Sequence, residues 1–498
     1  MCIRDRNGAF FSQLARNLLR YPPEIHGGMP LVAVGEAVPP PEERSIYATH
    51  PAGLVWLVAG SFGLFGETEW AARLVPIVCS LGTLLLLVRL VERCHGGDTA
   101  WLTGLLYATM PMAVYFGRMV NHEPVVLFLM LAALTAWTAA VEGPGGVNRR
   151  RRAWTAWAAA TWAVIWVDWS GLLFAALLAG HAARECRRGS LSRRALLGMA
   201  AVTAAAAATM LTHLVHAGLQ GRWTDLWAIF RSRSARPAGD GLWKDGAAVG
   251  TAADYTVQNL GWPLLVAAAL GLIAWATRAR GDSQTQAGTP AATAGRSGWV
   301  LPATGLLWLI VFWRQYELHN YWLFYLGPVA ALLAARGIQA LTRVASRQGR
   351  RLAETFGVGA LIVTVGAGLL GVDDYFSRTA YPPEEAAAWA LIRQRTAGDA
   401  GVLLFRNPYR EEQRGGYVFR NIVPPHLAFY LDRRFAVEKS PEAATARADA
   451  YAGYVIPIAD AIRQGERLQP LRGRFPEEVL GNLVWFEFRP GEGRNGPE

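Results

Sequence analysis

Apolar stretches long enough to cross a bilayer recur through most of this chain, and no other feature restricts its fold as strongly. A helix needs about 17–25 mostly apolar residues to span roughly 30 Å of hydrocarbon, and it satisfies its own backbone as it does so. Windows of that kind, some a little short, run at approximately 70–92, 99–117, 122–142, 153–167, 170–184, 195–217, 255–277, 298–313, 321–341 and 354–372. They predict an α-helical polytopic membrane protein with about ten spans over 67–373. Composition agrees, with 52% hydrophobic residues, 17% charged residues and a mean hydropathy of +0.18. Several of the 20 Trp stand beside the apolar runs, where an indole rests at headgroup level.

The net charge of +11 is carried mainly by arginine and is not spread along one face. Arg89 and Arg93, and the arginines of 149–152, 184–194, 278–280 and 336–351, fall on alternate connections between the apolar windows. Cytoplasmic loops show that alternation under the positive-inside rule, so the remaining connections face outward. Clusters of this kind lack the basic stripe with interleaved aromatics that marks a nucleic-acid surface. The loop 218–254 is the exception on the outer side, with Arg222, Arg231, Arg233, Arg236 and Lys244 partly balanced by Asp225, Asp240, Asp245 and Asp254. A basic outer loop suits an anionic ligand. Cys2, Cys79, Cys94 and Cys186 have no paired spacing, so neither a disulfide framework nor a zinc site is expected.

Two shorter elements precede the first window. Residues 51–65, opened by Pro51 and closed by Gly66, are too short to span and read as an interfacial helix, as does Phe10 to Tyr21 with Phe10, Leu14 and Leu18 at helical spacing. Residues 1–66 are therefore assigned to an outer loop. The segment 281–297 has no periodicity and reads as a flexible cytoplasmic linker. After 373 the character changes: 382–395 is helix-like, while 402–405, 451–456 and 484–488 are strand-like. Residues 374–498 thus form a small C-terminal soluble α/β domain on the outer face.

Charged residues near membrane depth are functional candidates. Arg118, His122, Glu123, Asp168, Arg314, Glu317 and His319 all fall at outward helix ends. Moving a group from a lipid phosphate to a hydroxyl requires a carboxylate to accept the hydroxyl proton and cations to hold the departing phosphate, and this inventory supplies both. Glu123, just before Pro124, is a candidate acid, and Arg118 a candidate phosphate ligand. His319 and Tyr321, two residues apart at the mouth of a helix, can both donate to phosphate oxygens, and Arg314 could pair with Glu317. Asp168, between Trp166 and Trp169, reads as a turn-forming acid.

Several stretches, taken in order, resemble the protein mannosyltransferase and aminoarabinose transferase families. Ala15-Arg16-Asn17-Leu18-Leu19, His50-Pro51, Leu64-Phe65-Gly66-Glu67 and Glu69-Trp70-Ala71-Ala72-Arg73-Leu74 are similar to their first outer loop and second helix. Tyr115-Phe116-Gly117-Arg118 with Glu123-Pro124 looks like their second outer loop, and His319-Asn320-Tyr321 with Gly327-Pro328 like the entry to a late helix. The resemblance covers roughly residues 7 to 340 and implies a GT-C fold acting at the outer surface of a bacterial inner membrane. It implies a polyprenyl-phosphate sugar as donor and an unassigned hydroxyl as acceptor. It also implies a first helix preceding this sequence and a base at its end, where Asp5 stands here, and it gives His50 a place in the site.

No cofactor beyond the donor lipid is expected, no ligand set for a metal is evident, and the expected partners are membrane lipid, donor and acceptor without nucleic acid. A transporter and a catalytically dead scaffold are the competing readings. Transporters place charges near the midplane and often show repeated halves. This sequence gathers its charges toward one face and shows no repeat.

Overall fold

The computed structural model describes residues 3–41, 44–142, 146–219, 246–281, 297–312, 319–379, 383–405 and 427–488. Its described helices before residue 396 are α1 (Ile3–Arg20), α2 (Pro23–His26), α3 (Gly53–Phe65), α4 (Glu69–His95), α5 (Gly97–Ala108), α6 (Pro111–Gly117), α7 (His122–Glu142) and α8 (Val147–Val167). Then come α9 (Trp169–Arg187), α10 (Arg193–Leu219), α11 (Gly246–Leu260), α12 (Trp262–Gly281) and α13 (Val300–Val311). A 3-10 segment (Asn320–Leu326) leads into α14 (Gly327–Ser346), followed by α15 (Arg350–Thr379) and α16 (Pro383–Arg395). The chain divides into two compact units, one of Met1–Tyr47, Val58–Glu67 and Thr379–Glu498, the other of Ala48–Leu57 and Thr68–Arg378.

The second unit is a bundle of apolar helices, and the protein is a multi-pass membrane protein. Each predicted window falls on helix, but not each on one helix of spanning length. Among the described residues five helices are long and apolar enough to cross a membrane, or six if α11 and α12, bent by 93° at Gly261, make one span. The window 99–117 is divided because Met110, extended before Pro111, cannot continue α5, and Pro111 opens α6 instead. Arginines mark one end of the helices: Arg93 in the last turn of α4, 149–152 at the start of α8, Arg184 and Arg187 ending α9, and Arg343 ending α14.

In the first unit α1 buries Phe11, Leu14, Ala15 and Leu18, as its spacing predicts. It also buries Gln13, Arg16 and Asn17, so it is no simple interfacial helix with a solvated polar face. Strands β1 (Leu31–Val32) and β2 (Ser45–Ile46) pair antiparallel. A five-stranded sheet has the order β4-β3-β5-β7-β6, from β3 (Val402–Leu404), β4 (Phe435–Val437), β5 (Gly453–Pro457), β6 (Glu477–Leu480) and β7 (Leu483–Glu487). β3 runs parallel to β4 and β5, while β7 is antiparallel to β5 and β6.

The period-2 alternation of a strand sends Val402 and Leu404 to the face covered by Trp389 and Ile392 of α16, and Leu403 to the face shared with Tyr454, Leu468 and Leu471. Three strands and one helix read from the sequence are present, and β4 and β6 are additional. The outer-loop segment drawn at 1–66 does not form a unit of its own: residues 1–47 and 58–67 group with 379–498.

Candidate functional site

The ends of the helical bundle opposite the arginines carry a buried polar cluster built from several elements. The turn between α8 and α9 is one residue long. Asp168 caps α9, its Oδ2 accepting the Ser170 N–H at 3.1 Å and the Ser170 hydroxyl. So tight a hairpin needs small residues. A Cβ on Gly171 would lie 2.2 Å from the Val164 carbonyl oxygen, and one on Gly53 would lie 2.9 Å from that of Trp166. Gly53 thereby lets the 48–53 loop run against the end of α8, where the Trp169 indole donates to the Thr49 carbonyl at 2.7 Å. This brings His50 beside Asp168, with Nδ1 2.7 Å from Oδ1.

α7 contributes its first two residues. His122 stacks on the His50 ring at 4.3 Å with 22° between planes. Glu123 is 6% exposed, and its Oε2 has no hydrogen-bond partner among the described residues. The 3-10 segment closes the cluster. Its Tyr325 hydroxyl lies 3.0 Å from Ser170 Oγ, and the Trp322 indole lies within reach of the Glu123 carboxylate. His319 stacks on Trp322 at 4.8 Å and its Nδ1 bonds the Tyr321 hydroxyl. Tyr321 packs 5.7 Å from Phe116 of α6.

Arg118 follows α6, its guanidinium 4.0 Å over the Phe376 ring and 5.4 Å from that of Tyr115. Tyr375 of α15 donates to Asn259 Oδ1, and Asn259 Nδ2 donates to the Asn320 carbonyl at 2.7 Å. Burial alone would raise the Asp168 carboxyl, but the His50 hydrogen bond, the charges of His50 and His122 and the Ser170 hydroxyl outweigh it, holding the group below the ordinary carboxylate range.

Of the residues named from sequence, His50, Arg118, Glu123, His319 and Tyr321 thus stand at one end of the bundle, linked through intermediate side chains. The side chain of Asp5 on α1, and residues Arg314, Glu317 and most of the basic loop 218–254, lie outside the described residues. Asp168 is more than a turn former. His122, a candidate by its position at a helix end, also joins the cluster, as do Ser170, Trp322 and Tyr325, to which sequence reasoning gave no role. Among the described residues no three His, Cys, Asp or Glu side chains are arranged to hold a metal ion.

Known proteins share this architecture. The crystal structure of ArnT from Cupriavidus metallidurans bound to undecaprenyl phosphate matches with a TM-score of 0.56 and 13% identity, over 99% of this chain and 96% of that one. The oligosaccharyltransferase AglB from Archaeoglobus fulgidus, in complex with an inhibitory peptide and a dolichol-phosphate, matches with a TM-score of 0.56 and 11% identity, over 100% of this chain and 72% of that one. The chain has the GT-C glycosyltransferase fold. Residues 49–216 of this GT-C chain also match the family model for dolichyl-phosphate-mannose-protein mannosyltransferase, a stretch holding His50, Arg118, His122, Glu123 and Asp168. No curated protein matches the chain in sequence.

Proposed function

We propose that this chain is a membrane glycosyltransferase that moves a sugar from a polyprenyl-phosphate lipid to a hydroxyl of a protein, lipid A or an envelope glycan. The observation that carries the reading is Glu123, buried with an unmatched carboxylate oxygen among imidazoles and tyrosines at one end of a GT-C bundle. In the reaction the bond from the anomeric carbon to the phosphate oxygen breaks and a bond to the acceptor oxygen forms. The hydroxyl proton passes to a carboxylate, and polyprenyl phosphate departs.

The family resemblance gives the base position to Asp5. Within the described cluster Glu123 is the acid placed to orient the acceptor or take its proton. His50, Arg118, His319 and Tyr321, with Arg314, meet the charge growing on the departing phosphate. The arginines at the far helix ends support placing this cluster on the outer side of a bacterial inner membrane, with the C-terminal sheet on the periplasmic side.

The test is transfer of radiolabel from polyprenyl-phosphate sugars in membranes containing the full chain. Glu123→Gln should lower the rate by about 10²–10⁴-fold while leaving the fold intact. Absence of transfer from every such lipid, or an undiminished rate in Glu123→Gln, would overturn the proposal.

A further inference from the structure

We infer that Asp168 is a positioning residue for lipid phosphate: it holds the His50 ring in one orientation through Nδ1–H, so that the other edge of the ring can donate to the phosphate. The inference rests on the proposed function, since it takes His50 as a phosphate-binding group.

Helix capping does not account for what Asp168 does. A cap needs one carboxylate oxygen, and Oδ2 serves as the cap by accepting from the Ser170 backbone. Oδ1 is committed instead to His50, 118 positions away in the chain. Asp168 is itself held, because the Ser170 hydroxyl donates to it and is tied to the Tyr325 hydroxyl, and Ser170 and Tyr325 are fully buried.

Access separates the two members of the pair. The Asp168 side chain is 3% exposed and that of His50 is 18%, so an incoming ligand meets the imidazole and not the carboxylate. An ionised carboxylate can only accept, which puts a proton on Nδ1; a phosphate oxygen also only accepts, so His50 can donate to it only as the imidazolium, through Nε2–H. The ring is restrained on its face as well as its edge, by the stacked His122. Among the described residues the titratable groups facing His50 include Asp168 from the α8–α9 turn, His122 of α7, and His213 of α10, whose ring meets the His50 backbone.

The experiment measures binding of undecaprenyl phosphate to the full chain in detergent. Asp168→Asn should weaken binding by about 10–100-fold, the usual loss when a residue that orients a ligand-binding histidine is removed. His50→Gln should weaken binding at least as much, and the double variant should bind like His50→Gln alone. A role in stability alone would add its own loss to that of His50→Gln. Undiminished binding in Asp168→Asn, or a double variant weaker than His50→Gln by the full single-variant factor, overturns the inference. If Asp168→Asn does not fold, the comparison of His50→Gln with the double variant, which replaces the ion pair by two amides, decides by the same criterion. Normal lipid binding without sugar transfer would defeat the proposed function and leave this inference standing.

Discussion

A carboxyl group with no solvent exposure either keeps its proton or stays ionised among donors, and Asp432 is of the second kind. Arg20 donates to both of its oxygens at 3.1 and 2.5 Å, Gln13 and the Gly35 N–H donate to Oδ1 at 3.2 and 3.1 Å, and Arg16 lies 3.3 Å from Oδ2. Burial alone would raise this carboxyl, but the Arg20 hydrogen bond and the charges of Arg16, Arg20 and Arg393 hold it below its ordinary value. A depressed native value means stability that is present above the unfolded value of about 3.9 and is lost as pH falls further. Asp432→Asn isolates the charge, because asparagine tolerates the φ of 47° at this position. The variant should lose about 3–5 kcal/mol at neutral pH by leaving buried arginines uncompensated, and should show a weaker acid dependence than wild type. Protease sensitivity of the sheet-bearing region, measured in the full chain against pH, checks both outcomes. Arg20 and Asp432 are 412 positions apart, so α1 could be read as an amphipathic helix but not as a binding partner of that carboxylate. Asp168 is legible only in part for the same reason: the local pattern announces the turn that it does form and cap, whereas its bond to His50 is a product of tertiary packing.

At the level of elements, sequence legibility follows length and period. The long apolar windows could be read because some 20 residues of low polarity are a property of the chain itself. The interruption of 99–117 and the 93° bend at Gly261 depend on single residues inside otherwise uniform runs. β4 is three residues set between Arg434 and Glu438, and β6 opens with Glu477-Glu478, so neither displays the apolar run by which β3, β5 and β7 are read. Helix contact is also set by single residues. α12 and α14 touch backbone to backbone, since a Cβ on Gly271 would stand 1.9 Å from the Leu333 carbonyl oxygen and one on Gly337 1.9 Å from that of Ala267. Small residues allow such close approach between helices in a bilayer, where van der Waals packing drives association. Gly271→Ala or Gly337→Ala should therefore force the helices apart and cost about 1–3 kcal/mol. Gly180→Ala in α9, where a Cβ would meet nothing within 4 Å, should be neutral or slightly stabilising. Thermal inactivation in detergent, compared across the three variants, separates these outcomes; equal midpoints would refute the close packing.

For the whole molecule, the decisive relation is between the two ends of the helical unit. Moving down the chain, arginines close α4, open α8, close α9, open α10 and close α14. The polar cluster uses the other ends: the start of α7, the α8–α9 turn, the entry to α14 and the last turns of α15. Strict alternation along the chain thus becomes segregation in space, and a lipid-linked substrate can meet acid, imidazole and guanidinium together only if that segregation matches the two sides of a membrane. The proposed orientation places the arginine end in the cytoplasm. Glu69 at the start of α4 and Asn148 at the start of α8 are exposed at opposite ends. In a background lacking the native cysteines, Glu69→Cys should react with an impermeant thiol reagent added to intact spheroplasts, and Asn148→Cys only after permeabilisation. The reverse pattern would turn the cluster toward the cytoplasm, and labelling of both from outside would mean that α4 through α7 do not cross as a set; either result removes the ground for an outward-facing site.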